Sequence, residues 1–241
     1  MRKRTLFVLL FSVFLMLVGS TFFGIAFFTQ SSVIAPNVYT IKSKFQQIEI
    51  DLENTNISIC SDEETYIEIV GYRENEYYIS EEDGKLLITD QSKKSPLLFK
   101  LSGISRYFQE RRQISNTQNI ILHLSQEYWQ TPINLILSNS TLTLSAPLSY
   151  LTVHADHSSI TAQDMAFERF SAKLIDCNSR FSISYTASDF SRNIETHNAT
   201  LSINNDERAN TEQFIAKFPK PSLIIEASGG ICRIEFPQDK Q

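Results

Sequence analysis

Five short stretches of this chain share one grammar: a turn-forming residue, two more small or polar residues, then apolar–Ser/Thr–apolar. They are NTNISIC from Asn54, NSTLTLS from Asn139, HSSITAQ from His157, NSRFSIS from Asn178 and NATLSIN from Asn198. A related phrase, SGGICRI, starts at Ser228 after a longer gap that holds the charged stretch NNDERANTEQ. From Asn139 to Asn198 the spacings are 18, 21 and 20 residues. The similarity reaches beyond the phrase. Four residues before each turn stand Ile50, Leu135, Val153, Leu174, Ile194 and Ile224. Three residues after stand Ile57, Leu142, Ile160, Phe181, Leu201 and Ile231. Five residues after stand Ile59, Leu144, Ala162, Ile183 and Ile203, with Arg233 in the last place.

A self-similar period near twenty residues, built from period-2 alternation, predicts short strands that stack repeat on repeat. One repeat cannot bury its own apolar face, so several must pile up in parallel. The expectation is an all-β, single-chain parallel β-solenoid, β-helix-like, with a more irregular strand-and-hairpin portion at its N-terminal end. Leu142, Ile160, Phe181 and Leu201 should stack in consecutive rungs. The turn residue must leave the β region, and Asn tolerates the left-handed conformation better than most non-glycine residues. With only seven glycines in the chain, Asn and Ser take over corner positions.

Upstream, IEIDLENTNISI, TYIEIVGY and EYYISEEDGKLLITD alternate as strands do. Asp83-Gly84 reads as a two-residue hairpin turn, which needs positive φ at both positions. Alternation fails over residues 91–118, read as a long excursion with a short helix near Tyr107–Arg112.

The chain opens MRKRTLFVLLFSVFLMLVGSTFFGIAFFTQ. Leu6 to Phe28 is 23 residues without a charge. As a helix it would span about 34 Å, enough for a hydrocarbon core of about 30 Å. Residues 1–30 are therefore read as one transmembrane helix; the alternative is a cleaved signal, since Val18-Gly19-Ser20 and Gly24-Ile25-Ala26 resemble cleavage sites. Residues 31–44 form a linker and 45–241 the β domain. The basic start keeps the N-terminus cytoplasmic and the body outside: a single-pass cell-membrane protein, or a secreted one after cleavage.

Charge excludes one class of partner. Of 22 basic and 27 acidic residues, Arg2, Lys3 and Arg4 lie in the first thirty, leaving the remainder at −8. Nucleic acid needs a basic face, so none is expected as partner. The one local exception is the excursion. It carries Lys93, Lys94, Lys100, Arg106, Arg111 and Arg112 against Glu110, interleaved with Phe99, Tyr107 and Phe108. These nine basic and aromatic residues are the candidate contact with an anionic lipid or wall polymer. Residues 49–90 before it hold thirteen acids against Arg73 and Lys85.

Catalytic motifs are missing: no Gly-x-Ser-x-Gly, Walker loop, His-Glu-x-x-His or Ser-x-x-Lys is present. Of the histidines His123, His154, His157 and His197, the middle pair frames the phrase HADH; it places His154 and Asp156 outward and His157 at a corner, with His197 two rungs on. No metal or cofactor is implied. Cys60, Cys177 and Cys232 are an odd set in an exported chain, read as small buried hydrophobes. An alternative class, a polysaccharide lyase or hydrolase on a β-helix, would draw on Asp156, Asp164, Asp176, Arg169, Lys173 and Arg180.

With the rungs laid out, residues 45–236 resemble the bacterial adhesin-like domain of unknown function 4097. That family joins an alternating strand run, a long variable stretch and a plain strand–turn, here NIILHLSQEYWQTPINLIL, to repeated rungs. This chain has Asn139, His157, Asn178 and Asn198 where Ser-Gly is common; Ser228-Gly229-Gly230 is the typical one. The resemblance implies a β-solenoid outside a bacterial membrane with no established catalytic residue. The expected function is a non-enzymatic, membrane-anchored display of an adhesin-like surface to an envelope polymer or protein, with an envelope-stress role among its uses.

Overall fold

Alternation turns every second side chain inward, and the strands pair so that these inward residues form continuous columns. The computed structural model describes residues 11–12, 15–16, 37–70, 77–90, 119–186, 188–207, 211–215 and 221–237. Two compact units divide the chain, Met1–Ala35 and Pro36–Gln241. In the first, Phe11, Ser12, Leu15 and Met16 are helical, and the rest of the apolar run lies outside the described residues. Among the described residues no helix is long and apolar enough to cross a membrane. Among its described residues the second unit is all-β apart from a 3-10 turn at Gln126–Tyr128, and its sheet is mixed.

Two parallel ladders make up its centre. The first runs β6 (Lys85–Asp90), β2 (Gln47–Glu53), β8 (Ile133–Ser138), β10 (Tyr150–Asp156), the first half of β12 (Arg169–Ile183), the first half of β17 (Ser222–Glu235) and β13 (Ser191–His197). The second runs β7 (Asn119–Leu124), β3 (Asn56–Ser61), β9 (Thr141–Leu144), β11 (Ser159–Met165), the second halves of β12 and β17, and β14 (Thr200–Ile203). One strand from each ladder makes a tier, numbered 1 to 7 in that order.

Chain order is not tier order. The chain visits tiers 2, 1, 3, 4, 5, 7 and 6, so the expectation of consecutive stacking fails at both ends. After β14 the chain adds β15 (Asp206–Glu207) and β16 (Thr211–Phe214) antiparallel to β14 and β13, then returns as β17 between β12 and tier 7. At the other end β5 (Tyr77–Glu82) covers β6, β4 (Tyr66–Val70) covers β7, and β1 (Asn37–Thr40) covers β4, all antiparallel. These flanking strands occupy the backbone groups that open parallel edges would offer to another chain.

Inside, Ile88, Ile50, Leu135, Val153, Ala172, Ile225 and Ile194 form one unbroken buried column. Each larger aliphatic side chain contributes roughly 1.5–3 kcal/mol on burial. On the second ladder the column is Ile57, Leu142, Ile160, Ser179, Cys232 and Leu201. Leu142 and Ile160 are neighbours as expected. Phe181 is not in their column; it aligns with Ala162 and Ile234. Leu201 lies beside Cys232, and all four expected residues are buried.

The cause is a misplaced corner. Left-handed residues stand at Asn54, Asn139, His157, Asp176, Asn198 and Gly229, with φ of 47° to 73°. The corner of β12 is therefore Asp176, two residues before Asn178, and that of β17 is Gly229, one after Ser228. A two-residue slip keeps the side chains on the same face, but a one-residue slip exchanges faces. Hence Ile225 is the buried residue and Ile224 is only half-buried, while Arg233 breaks no column because it points outward.

After the corners of tiers 2 to 4 the next residue joins a buried polar ladder. The Thr55 N–H donates to Ser140 Oγ at 3.2 Å and the Ser140 N–H to Ser158 Oγ at 3.1 Å. Each hydroxyl in turn donates to a carbonyl two residues back, Ser140 to Ser138 and Ser158 to Asp156, both at 2.8 Å. Cys177 takes the next place, its Sγ 3.1 Å from the Ile175 carbonyl. Gly230 follows. A Cβ there would lie 2.0 Å from the Cys177 carbonyl oxygen, so only glycine fits. The expected hairpin is present: β5 and β6 pair across Asp83 and Gly84, with φ of 52° and 70°.

Candidate binding surfaces

Lys93, Lys94, Phe99, Lys100, Arg106, Tyr107, Phe108, Arg111 and Arg112, and with them the expected helix at Tyr107–Arg112, lie outside the described residues. The two feet of their segment are described. Asp90 ends β6 and Asn119 begins β7, so the sequence between them joins the two strands of tier 1. The feet are tied to tier 2. Asp90 Oδ2 accepts the Glu53 N–H at 2.8 Å, and Asn119 Oδ1 accepts from Asn56 Nδ2 at 3.0 Å.

The chain joins the body at the same end. Asn37 pairs with Ile69, and Ile69 with Ile120, so β1 begins two strand spacings, about 10 Å, from the second foot. Glu81 fastens this stretch, accepting the Lys42 N–H at 3.0 Å, the Ser43 N–H at 2.6 Å and the Tyr39 hydroxyl at 3.1 Å. Burial acts to raise the Glu81 carboxyl, but these donors outweigh it and hold it below its ordinary value.

The six residues considered for an enzyme fall into separate groups, of which Asp164 and Arg180 line one depression. Asp156 and Asp176 bracket His157, with Oδ1 2.6 Å from Nδ1 and Oδ2 3.6 Å from Nε2. Arg169 and Lys173 lie on the first half of β12, and Asp164 and Arg180 on the second ladder. His157 and His197 are three tiers apart, not two, because β12 and β17 come between; that is about 14 Å. Among the described residues no group of three His, Cys, Asp or Glu is placed to hold a metal ion.

A cluster at tiers 1 and 2 escaped the sequence reading. His123 stacks on Tyr66 with centroids 4.0 Å apart and meets Asp62 Oδ2 at 2.9 Å through Nδ1. Cys60 Sγ approaches the same Nδ1 at 3.4 Å, and Glu68 Oε2 stands 3.6 Å from Nε2. Thiol and nearest carboxylate share one ring nitrogen, so the ring cannot relay a proton between them as nucleophilic triads do. Burial, with Asp62 and Glu68 nearby, raises the Cys60 thiol. The N–H of Glu63 and then His123 lower the Asp62 carboxyl. No local sequence signal marks this cluster, because Cys60 meets His123 only through the β3–β7 register. All three cysteines are free. Cys177 and Cys232 are buried as expected, and burial pushes the Cys232 thiol up to about 11.

The outward side of the second ladder is a floor of short polar side chains: Ser58, Thr143, Thr161 and Ser202 in one row, with Arg180 and Arg233 between Thr161 and Ser202. Arg180 and Arg233 are direct cross-strand partners. Arg180 Nη2 lies 2.9 Å from Glu235 Oε1. Depressions of about 190 Å³ and about 290 Å³ flank Arg180; both also border Thr161. Beside the larger one, β11 carries a bulge between Ala162 and Met165, with Asp164 left-handed at φ 49°.

No family model and no curated protein matches the chain. Among solved structures, it aligns with a "putative cell adhesion protein" from Clostridium sporogenes at 13% identity and a TM-score of 0.49, covering 85% of this chain and 99% of that one. A "putative adhesin" from Bacteroides fragilis aligns at 10% identity and a TM-score of 0.32, covering 84% and 96%. The likeness to the family named above therefore rests on residue pattern alone.

Proposed function

We propose that this chain is an adhesin-like protein of a cell envelope, held in the membrane by residues 1–30 with residues 45–241 outside it. In this reading the body is a short β-solenoid with exchanged end tiers. In-register parallel ladders and a column of left-handed corners support that description. The basic excursion meets the anionic membrane surface or a wall polymer beside it. One observation carries the reading: the strand that receives the chain from the N-terminal segment and the two feet of the excursion share the tier 1 end of the body. In this reading the chain enters the body beside the feet of the excursion. Each cation near an anionic bilayer is worth about 1 kcal/mol, and salt weakens the attraction over about 10 Å at 0.1 M. No catalysis is part of the reading.

The test is co-sedimentation of residues 36–241 with anionic and zwitterionic vesicles and with wall polymer, at low and high salt. A variant with Lys93, Lys94, Arg106, Arg111 and Arg112 changed to Gln is run alongside. Salt-sensitive binding to the anionic surfaces, lost in the variant, is expected. Binding that is absent, or equal in the variant, overturns it. External protease on intact cells tests the topology: digestion of the body is expected, and full protection contradicts it.

A further inference from the structure

We propose that the outer face of the second ladder, centred on Arg180 and Arg233, binds an extended acidic polysaccharide whose carboxylates engage the two guanidiniums. This site is separate from the excursion and does not depend on its role.

Three observations carry it. Like charges set directly opposite each other on neighbouring strands destabilise a sheet, and Arg180 and Arg233 are such a pair. Folding does not require them, since both point away from the core and are exposed. Counter-charge beside them is limited: on the outward positions of the parallel strands Glu235, paired with Arg180, is the one carboxylate, with Asp164 in the bulge and Glu207 beyond Ser202 in the row of Arg233. Guanidinium forks match carboxylates in two-point geometry.

The floor selects among polyanions. Around the arginines stand the hydroxyls of Ser159 and Thr161 and the amide of Asn178, all lining the smaller depression. Such groups pair with sugar hydroxyls. Tiers repeat about every 4.8 Å, close to the advance of one pyranose ring along an extended chain. A polymer lying along the stack can thus set successive rings over successive tiers. An open face, not a deep hole, suits a ribbon-like ligand.

The probe is an oligogalacturonate titrated calorimetrically into the full chain in detergent micelles. Its methyl ester, with the carboxylates blocked, and linear polyphosphate serve as comparisons. Variants are Arg180→Gln, Arg233→Gln, the double change, Lys173→Gln on the opposite ladder, and the Gln-substituted excursion. The acid oligomer should bind and its ester should not. Each arginine change should weaken binding about tenfold, in line with the loss of one charge-assisted contact. Lys173→Gln and the excursion variant should bind as the parent does, and the arginine changes should not lower the melting temperature. Absence of binding, equal binding of the ester, full binding by the double variant, or loss confined to the excursion variant overturns the site. Equal affinity for polyphosphate that depends on the same arginines overturns the choice of a polysaccharide.

Discussion

The outward positions of the two ladders differ although their inward positions are alike. On the central strands of the first ladder they include Glu49, Asp51, Glu53, Asp156, Glu195 and Glu226, relieved by Arg169 and Lys173. On the second they are mostly Ser, Thr and Asn, with Arg180, Arg233 and Glu235. Packing dictates the inner columns and constrains both ladders equally. Outward side chains are released from that demand, so their contrast records use and solubility. The acidic face keeps the body dispersed, and the neutral, arginine-bearing face is the one left able to receive an anion.

The largest expected effect breaks what the two faces share. Leu142→Asp puts a carboxylate in a fully buried column; the cost of several kcal/mol should abolish cooperative unfolding in a denaturant titration. A soluble variant that still unfolds cooperatively would contradict the column.

Next in size is Gly230→Ala, where φ is +75° and the new Cβ meets a carbonyl. A loss of about 2–3 kcal/mol is expected from strain at such a site. Gly84→Ala has a similar φ of +70° but open space around it, so its loss should be about 1 kcal/mol. Equal losses at both sites would remove the close approach of tiers 5 and 6 from the account.

Acid should act unevenly along the stack. Glu81 and Asp62 both have carboxyls held below their ordinary values. Their contribution is present above the unfolded value, near 4, and is lost as pH falls through the lowered folded one. Amide exchange should therefore quicken first in β1 and the turn before β4, ahead of tiers 4 to 6. Uniform quickening would argue against these two contacts.

The smallest effect is the sharpest test of the contrast itself. Thr143→Val, on an outward position of the second ladder, should change stability by less than about 0.5 kcal/mol. A larger change by thermal unfolding would mean that this face is structural after all.

Much of the fold was legible because its information is local. Alternation fixed which side chains face inward, and Asp83-Gly84 fixed a hairpin. At Asn54, Asn139, His157 and Asn198 the corner could be read directly, because a left-handed-tolerant residue precedes the strand. Corners failed where two candidates stood close together, as with Asp176 and Asn178. There the small buried slot taken by Cys177 decided the matter, and one residue in isolation cannot show that. The candidate surface was less legible. In the sequence Arg180 is one of six charged candidates for the alternative enzyme and Arg233 a break in a column; they are 53 residues apart and meet because β17 enters beside β12.

The amino-acid order alone determined the all-β class, the two strands per repeat and their inward faces, because side-chain alternation and corner conformation are set within a few residues. Tertiary structure alone decided which repeat lies on which. Apolar columns of the same spacing can stack in any order, so the choice falls to the end strands. The antiparallel partners β5, β4 and β1 at one end, and β15 and β16 at the other, occupy the open edges and send the chain back to tiers 3 and 6. The return to tier 6 is what sets Arg180 against Arg233, while Cys60 meets His123 because tier 1 stacks on tier 2.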